Sequence, residues 1–280
     1  MERIKQAIEK VKRQRSSGQN RLDQALLVDS GRTITPRSSQ ADDEFENFDY
    51  KKTRVVKLRM EHLEKQRIIA FNKNHAMSMN FDLLRTQVLQ KMKDNGWRTL
   101  AITSPAPEAG KTVVAINLAM SIAHQTNKTA LLVDFDLRRP KIGAYLGISM
   151  EKSLNDFLDG TADIPEILVN PDIPRLVVLA TKNPVKRSAE TLSSKKIADL
   201  IKELREYYES RIVIFDMPPV LVTDDAIALI PQIDCVLMVV ANGMSTKSEI
   251  EGSLRHIPAT KLIGTILNKS ETEKLDYYYY

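Results

Sequence analysis

The groups that could do chemistry stand where apolar runs end. Gly110-Lys111-Thr112 closes a loop of Pro, Ala and Glu that follows Leu100-Ala101-Ile102, and Val114, Leu118 and Ile122 then recur at helical spacing. A strand, a loop ending in Gly-Lys-Thr and a helix make a phosphate cradle: N–H groups at the helix start face an anion, and the helix dipole favours negative charge there. Lys111 would reach the outer phosphates, and Thr112 would set its hydroxyl on Mg²⁺. Pro107, Glu108, Ala109, Gly110, Lys111, Thr112 and Val113 are the candidate nucleotide contacts. One position departs from the pattern, because Pro105 stands five residues before Gly110, where such a loop has its first glycine. An ordinary strand–turn–helix junction can carry the same three residues, so the reading needs further groups.

Acidic residues supply them. Asp134 and Asp136 follow the apolar run Ala130-Leu131-Leu132-Val133, and Asp216 follows Ile212-Val213-Ile214-Phe215. One Asp after a strand is commonly a turn residue or a helix cap. Three of them with Gly-Lys-Thr, all in one alternating pattern, point to a nucleotide site with Mg²⁺.

The elements that must position these groups can be read from periodicity. Strand-like runs fall at 99–103, 129–134, 175–180, 211–216, 234–241 and 261–267, and helix-like segments at 111–125, 189–209 and 245–256. This alternation predicts an α/β fold with a mainly parallel sheet flanked by helices. Several runs are apolar without alternation, as expected when both faces of a sheet are covered. Such sheets bind ligands at the carboxyl ends of their strands, where the acids lie. A further helix is expected over 78–93, with Phe81, Leu84, Val88 and Met92 on one face, Ser78 or Asn80 as its cap and Gly96 past its end.

Before it, residues 2–15 place Ile4, Ala7, Ile8 and Val11 on one face of a short amphipathic helix, residues 16–50 read as linker, and 51–71 show no clean period. The expected organisation is an arm and linker over 1–75, a domain over 76–268 and a flexible tail over 269–280. The tail ends Tyr277-Tyr278-Tyr279-Tyr280, four of the eight tyrosines. Four aromatic residues at a chain end do not build a core, but they can serve as phosphate acceptors or docking anchors. Tyr207 and Tyr208 fall in a helical pattern and read as packing residues.

Composition bounds the rest. The chain of 280 residues has a net charge of +5, and residues 1–40 carry nine Lys/Arg against four Asp/Glu, which equals that excess. A basic arm suits nucleic acid, an anionic membrane face, an acidic partner or plain solvation. No apolar run is long enough for a membrane span. The N-terminus is too charged for a secretory leader. The single Cys235 excludes an internal disulfide and fits a reducing compartment. The four scattered histidines have no metal-ligand spacing.

SPAPEAGKT, LLVDFDLRRP and IVIFDMPP together resemble the bacterial tyrosine kinases, P-loop autokinases of exopolysaccharide and capsule export, over roughly residues 76–280. The three segments match that family's Walker A, Walker A′ and Walker B motifs. The resemblance implies ATP and Mg²⁺ as cofactors, with Asp136 and Asp216 completing the Mg²⁺ site beside Thr112. It implies Asp134 as base or orienting acceptor for a tyrosine hydroxyl, Asn268 on the adenine side, Tyr277–Tyr280 as acceptors, and Arg138 and Arg139 as charge stabilisers or tail contacts. It also implies a ring-like homo-oligomer, transfer in trans, a membrane polysaccharide co-polymerase and a tyrosine phosphatase as partners, and a cytoplasmic protein recruited to the inner membrane face. Nucleic acid is not expected. The family's Glu-x-x-Arg-x-x-Arg assembly helix is reduced here to Arg85, with Met79 and Asp82 at the other two places. The alternative is a ParA/MinD-like positioning ATPase. Those proteins carry a second loop lysine where this chain has Ala106.

Overall fold

Each apolar run becomes a strand, and the strands order themselves so that the acids meet. The structure, a computed structural model, describes residues 53–125, 128–206 and 210–270. The amphipathic arm, Tyr207, Tyr208 and the tyrosines of the tail lie outside the described residues. In chain order the elements begin with β1 (Arg54–Val55), α1 (Met60–Lys65), α2 (Ser78–Asp94), β2 (Thr99–Thr103), α3 (Lys111–Gln125) and β3 (Thr129–Asp134). Three short helices, α4 (Ile142–Leu146), α5 (Leu154–Leu158) and α6 (Ile164–Ile167), lead to β4 (Leu168–Asn170) and β5 (Leu176–Leu179). Then come α7 (Ser188–Leu192), α8 (Lys195–Glu206), β6 (Arg211–Asp216), α9 (Asp225–Leu229), β7 (Cys235–Ala241), α10 (Lys247–His256) and β8 (Leu262–Asn268).

The eight strands form one sheet in the order β1-β4-β5-β3-β6-β2-β7-β8. Its ladders are parallel except β4 with β5. In the β3–β6 register Asp134 lies opposite Asp216, and β2 joins β6 on its other side with Ile102 opposite Asp216. The loop after β2 therefore opens at the strand end that carries both acids. Side chains alternate between two cores: Leu100 and Ile102 face one with α3, while Ala101, Leu131 and Val133 face the other with α8. Helix α3 is apolar nearly all round because it is covered on both sides, with Val114 through Ala123 almost fully buried. Truncating Ile116 to Ala there would cost about 2–5 kcal/mol.

The described part of the stretch 51–71, which carries no clean period, supplies β1 and α1 to this assembly. Leu63 and Ile68 are fully buried. Asn117 of α3 explains the docking: its Oδ1 accepts from the N–H groups of Ile69 and Ala70 (2.7 and 2.9 Å), and its Nδ2 donates to Arg67 O and Val113 O (3.1 and 2.8 Å). A buried amide with all these bonds made fixes one segment to another, and a mismatch would leave it unsatisfied.

Two local expectations are corrected. Neither Ser78 nor Asn80 caps α2: Met77 is the N-cap and makes no side-chain cap bond, while Ser78 is the first helical residue and donates its hydroxyl back to His75 O at 2.7 Å. Gly96 does end the segment, at φ +67°. The single helix read over 189–209 is two, because Ser194 Oγ accepts from Ile197 N (3.3 Å) and starts α8 afresh.

Candidate nucleotide site

The loop from Ser104 to Thr112 is bent by two residues with positive φ, Glu108 at +64° and Gly110 at +90°. Gly110 is required on two counts. A side chain there would be strained, and a Cβ would lie 2.2 Å from Asn268 Nδ2. That amide donates to Ala109 O at 2.7 Å, so Asn268 at the end of β8 clasps the loop. Ser104 Oγ donates to Ala106 O at 2.7 Å, which closes the turn where Pro105 replaces the first glycine.

Lys111 points into the acids. Its Nζ lies 2.8 Å from Asp136 Oδ2 and 3.5 Å from Asp216 Oδ1. Thr112 Oγ1 donates to Asp216 Oδ2 at 2.7 Å, while Asp216 Oδ1 is buried and makes no hydrogen bond. Burial alone would lower the Lys111 pKa, but Asp216 and Asp136 beside it hold it above its ordinary value. Asp216 is pushed up by burial, against the pull of Lys111. Three carboxylates with one ammonium leave this pocket short of positive charge.

Asp134 is turned inward. It is fully buried, its Oδ2 accepts from the N–H groups of Lys141 and Ile142 (3.0 and 2.9 Å), and its Oδ1 accepts from Asp136 N (3.3 Å). Burial, then Asp216, raises its pKa well above the usual carboxylate range. Of Asp134, Asp136 and Asp216, only Asp136 lines the open groove.

The residues present fit Mg²⁺. Among the described residues no group of three or more His, Cys, Asp or Glu side chains is placed to hold a metal by itself. Mg²⁺ does not need one: it takes one or two carboxylates and completes its shell with waters and phosphate oxygens. Thr112, Asp136 and Asp216 offer oxygen ligands, and the bare Oδ1 of Asp216 faces the cation that Lys111 now supplies.

These groups open into a groove of about 1650 Å³, lined by α2, the loop, the segment after Asp136, Pro218, Pro219 and the end of β8. Two residues that sequence reasoning passed over hold its walls. Thr103 Oγ1 donates to Pro218 O at 2.7 Å, and Asp225, fully buried, takes Arg138 Nε and Nη2 at 2.9 and 3.2 Å. Arg138 is thus engaged by Asp225, while Arg139 stays exposed. A polar residue at the start of a helix after a Pro-Pro turn was the available signal for Asp225.

Arg85, the expected assembly residue, has partners within this chain: Nη1 donates to Asp82 Oδ1 (2.7 Å) and Ser121 Oγ (3.1 Å), and its side chain is 12% exposed. The outer face of α2 presents Met79 and Leu83 instead, both more than half exposed.

Comparison with known proteins agrees with this geometry. Residues 98–269 match the family described as an AAA domain. Tyrosine-protein kinase CpsD of Streptococcus pneumoniae serotype 4 is 33% identical over 175 residues, 61% of this chain and 76% of that protein. Tyrosine-protein kinase ptk of Acinetobacter johnsonii is 31% identical over 181 residues, 64% of this chain but 24% of its own length, so the chain spans about a quarter of that relative. Among solved structures the chimerical protein CapA2B2 superposes with a TM-score of 0.68 at 26% identity, covering 78% of this chain and 93% of its own. A phosphate loop clasped by β8, acids paired across β3 and β6 and these relatives lead to one assignment: the chain belongs to the bacterial tyrosine kinases, on a P-loop fold.

Proposed function

We propose that this chain is an ATP- and Mg²⁺-dependent protein-tyrosine autokinase whose acceptors are Tyr277, Tyr278, Tyr279 and Tyr280. The observation that carries the reading is the convergence of Lys111, Thr112, Asp136 and Asp216 within hydrogen-bond or ion-pair reach at the mouth of the groove. Lys111 exchanges its carboxylates for the outer phosphates, and the loop amides hold the phosphate oxygens. Mg²⁺, held by Thr112, Asp136 and Asp216, would supply charge neutralisation for the transferring phosphoryl group. The phenolic oxygen forms the new bond to the γ-phosphorus, the bond to the ADP oxygen breaks, and the phenolic proton passes to Asp134. Asp134 takes this part because it stands at the carboxyl end of β3, opposite Asp216 and two residues from Asp136. Reaching it requires the Lys141 and Ile142 amide contacts to open. Asn268 sits beside the loop, where it also meets the base of the nucleotide.

The reading extends to the setting. A tail from Lys269 to Tyr280 reaches at most ~40 Å when extended. Transfer runs in trans within a ring-like homo-oligomer, and phosphorylation of adjacent tyrosines, each adding about −1.5 to −2 charges, loosens it until a phosphatase resets the tail. The protein works in the cytoplasm at the inner membrane face beside a polysaccharide co-polymerase, and it regulates polysaccharide polymerisation and export. Among the described residues no helix is long and apolar enough to cross a membrane. The test mixes Lys111→Met protein bearing an intact tail with active protein whose four tail tyrosines are Phe. Phosphate on the inactive chain supports transfer between copies. Its absence from co-assembled, folded chains restricts transfer to one copy.

A further inference from the structure

The groove exceeds what a nucleotide needs: small-ligand pockets are typically about 300–1,000 Å³, and this one is about 1650 Å³. Its surplus carries positive charge. Lys111 and Arg138 are engaged with Asp136 and Asp225. Lys65, Arg67, Arg139 and Lys141 also line the groove, all exposed, against the acids Glu64 and Glu108. Arg139 and Lys141 are held close to the reacting centre by their backbones. The Arg139 N–H donates to Asp136 O and Oδ1 (3.1 Å each), and the Lys141 N–H to Asp134 Oδ2 (3.0 Å). Their side chains project into the groove while their main chain is fastened to the acids.

We propose that this rim selects the acceptor by charge, so that the substrate is a tyrosine preceded by carboxylates, which Arg67, Arg139 and Lys141 contact. The occupant is the chain's own C-terminal segment, from the same copy or a neighbour. Glu271, Glu273 and Asp276 stand just before Tyr277, against the single Lys274. The segment also begins beside Ser270, which lines the groove. Complementary charge of this kind acts through encounter and register, and it weakens as salt screens it. The inference rests on the kinase reading and gives it a substrate rule.

The experiment uses the full chain with Tyr277–Tyr280 changed to Phe as enzyme, and two peptides of residues 269–280 as acceptors. One peptide is natural, and the other has Glu271, Glu273 and Asp276 changed to Lys. The natural peptide should be phosphorylated with a kcat/KM roughly tenfold higher at low salt, and the gap should shrink as salt is raised. The variant Arg67→Glu/Arg139→Glu/Lys141→Glu should invert the order, with an unchanged circular-dichroism spectrum and cooperative melt as the check on folding. Equal rates on the two peptides overturn the rim and leave the kinase standing. A preference that survives charge reversal overturns the assignment to these three residues. If neither peptide nor the wild-type tail takes phosphate, the kinase reading falls and the inference with it.

Discussion

Two regions of this molecule use charge in opposite ways. At the carboxyl ends of β2, β3 and β6, charged groups are buried together, with Lys111 between Asp136 and Asp216 and Asp134 behind them. On α2 the charged group, Arg85, is spent on Asp82 and Ser121, and apolar Met79 and Leu83 face outward. Burying several carboxylates with one ammonium costs stability unless a ligand arrives, which marks a site kept for chemistry. An arginine satisfied inside its own chain holds two helices together. Charged groups are thus left with incomplete partners in one place and given partners within the chain in the other.

The sharpest break in the comparison is Lys111→Met. Tail phosphorylation should fall by about 10² or more. Because Asp136 and Asp216 lose their shared cation, nucleotide-free protein should also melt lower at neutral pH and recover on acidification. Undiminished transfer in a folded variant removes Lys111 from the mechanism. Asp136→Asn and Asp216→Asn should each weaken Mg²⁺-dependent turnover strongly, while Asp134→Asn spares nucleotide affinity more than transfer. Equal losses of nucleotide binding in all three would end that division of labour.

Next is the wall of the groove. Arg138→Met leaves buried Asp225 without its guanidinium and should cost about 1–3 kcal/mol, less than a fully buried pair because Arg138 is 45% exposed. Asp225→Asn should cost less, and thermal melts would rank the two. On α2 the effects should be smaller still. Arg85→Ala should lower Tm by about 2–4 °C for each kcal/mol lost, without altering assembly. Leu83→Glu should leave Tm nearly unchanged. If Arg85→Ala disperses an oligomer without lowering Tm, the residue faces a neighbour after all.

Acid and base also separate the two kinds of charge. A carboxyl whose folded pKa is raised, as for Asp134 and Asp216, stabilises the fold fully below about pH 4 and loses this as pH rises through its folded pKa. Asp156 and Glu249, lowered by backbone hydrogen bonds at Ser153 and Thr246, act the other way: their stability is present above about pH 4 and lost as pH falls through their folded pKa. In nucleotide-free protein Asp134→Asn should therefore flatten the loss of stability that accompanies rising pH. A pH–Tm profile that is identical in the two proteins would remove Asp134 from it.

Much of this was legible in the residues because it is local. β2, β3 and β6 follow from unbroken apolar runs, and the loop follows from Gly-Lys-Thr between a strand and a helical period. What escaped depends on partners distant in sequence. Nothing near Asn117 announces that it binds residues 67–70, and nothing near Asp225 announces Arg138, 87 residues away. Arg85 has one partner close in sequence, Asp82, but its other, Ser121, lies 36 residues on. The stretch 51–71 lacks a period because its described residues dock by single side chains, Leu63 and Ile68, and by the Asn117 amide, without presenting a regular face.

Incubating purified protein with Mg·ATP and mapping phosphate by mass spectrometry bears on the whole reading most directly. Phosphate should appear on Tyr277–Tyr280, depend on Mg²⁺ and vanish in Lys111→Met. Steady release of inorganic phosphate, with every tail tyrosine unmodified, would instead make the buried acids and Lys111 the centre of a hydrolytic switch.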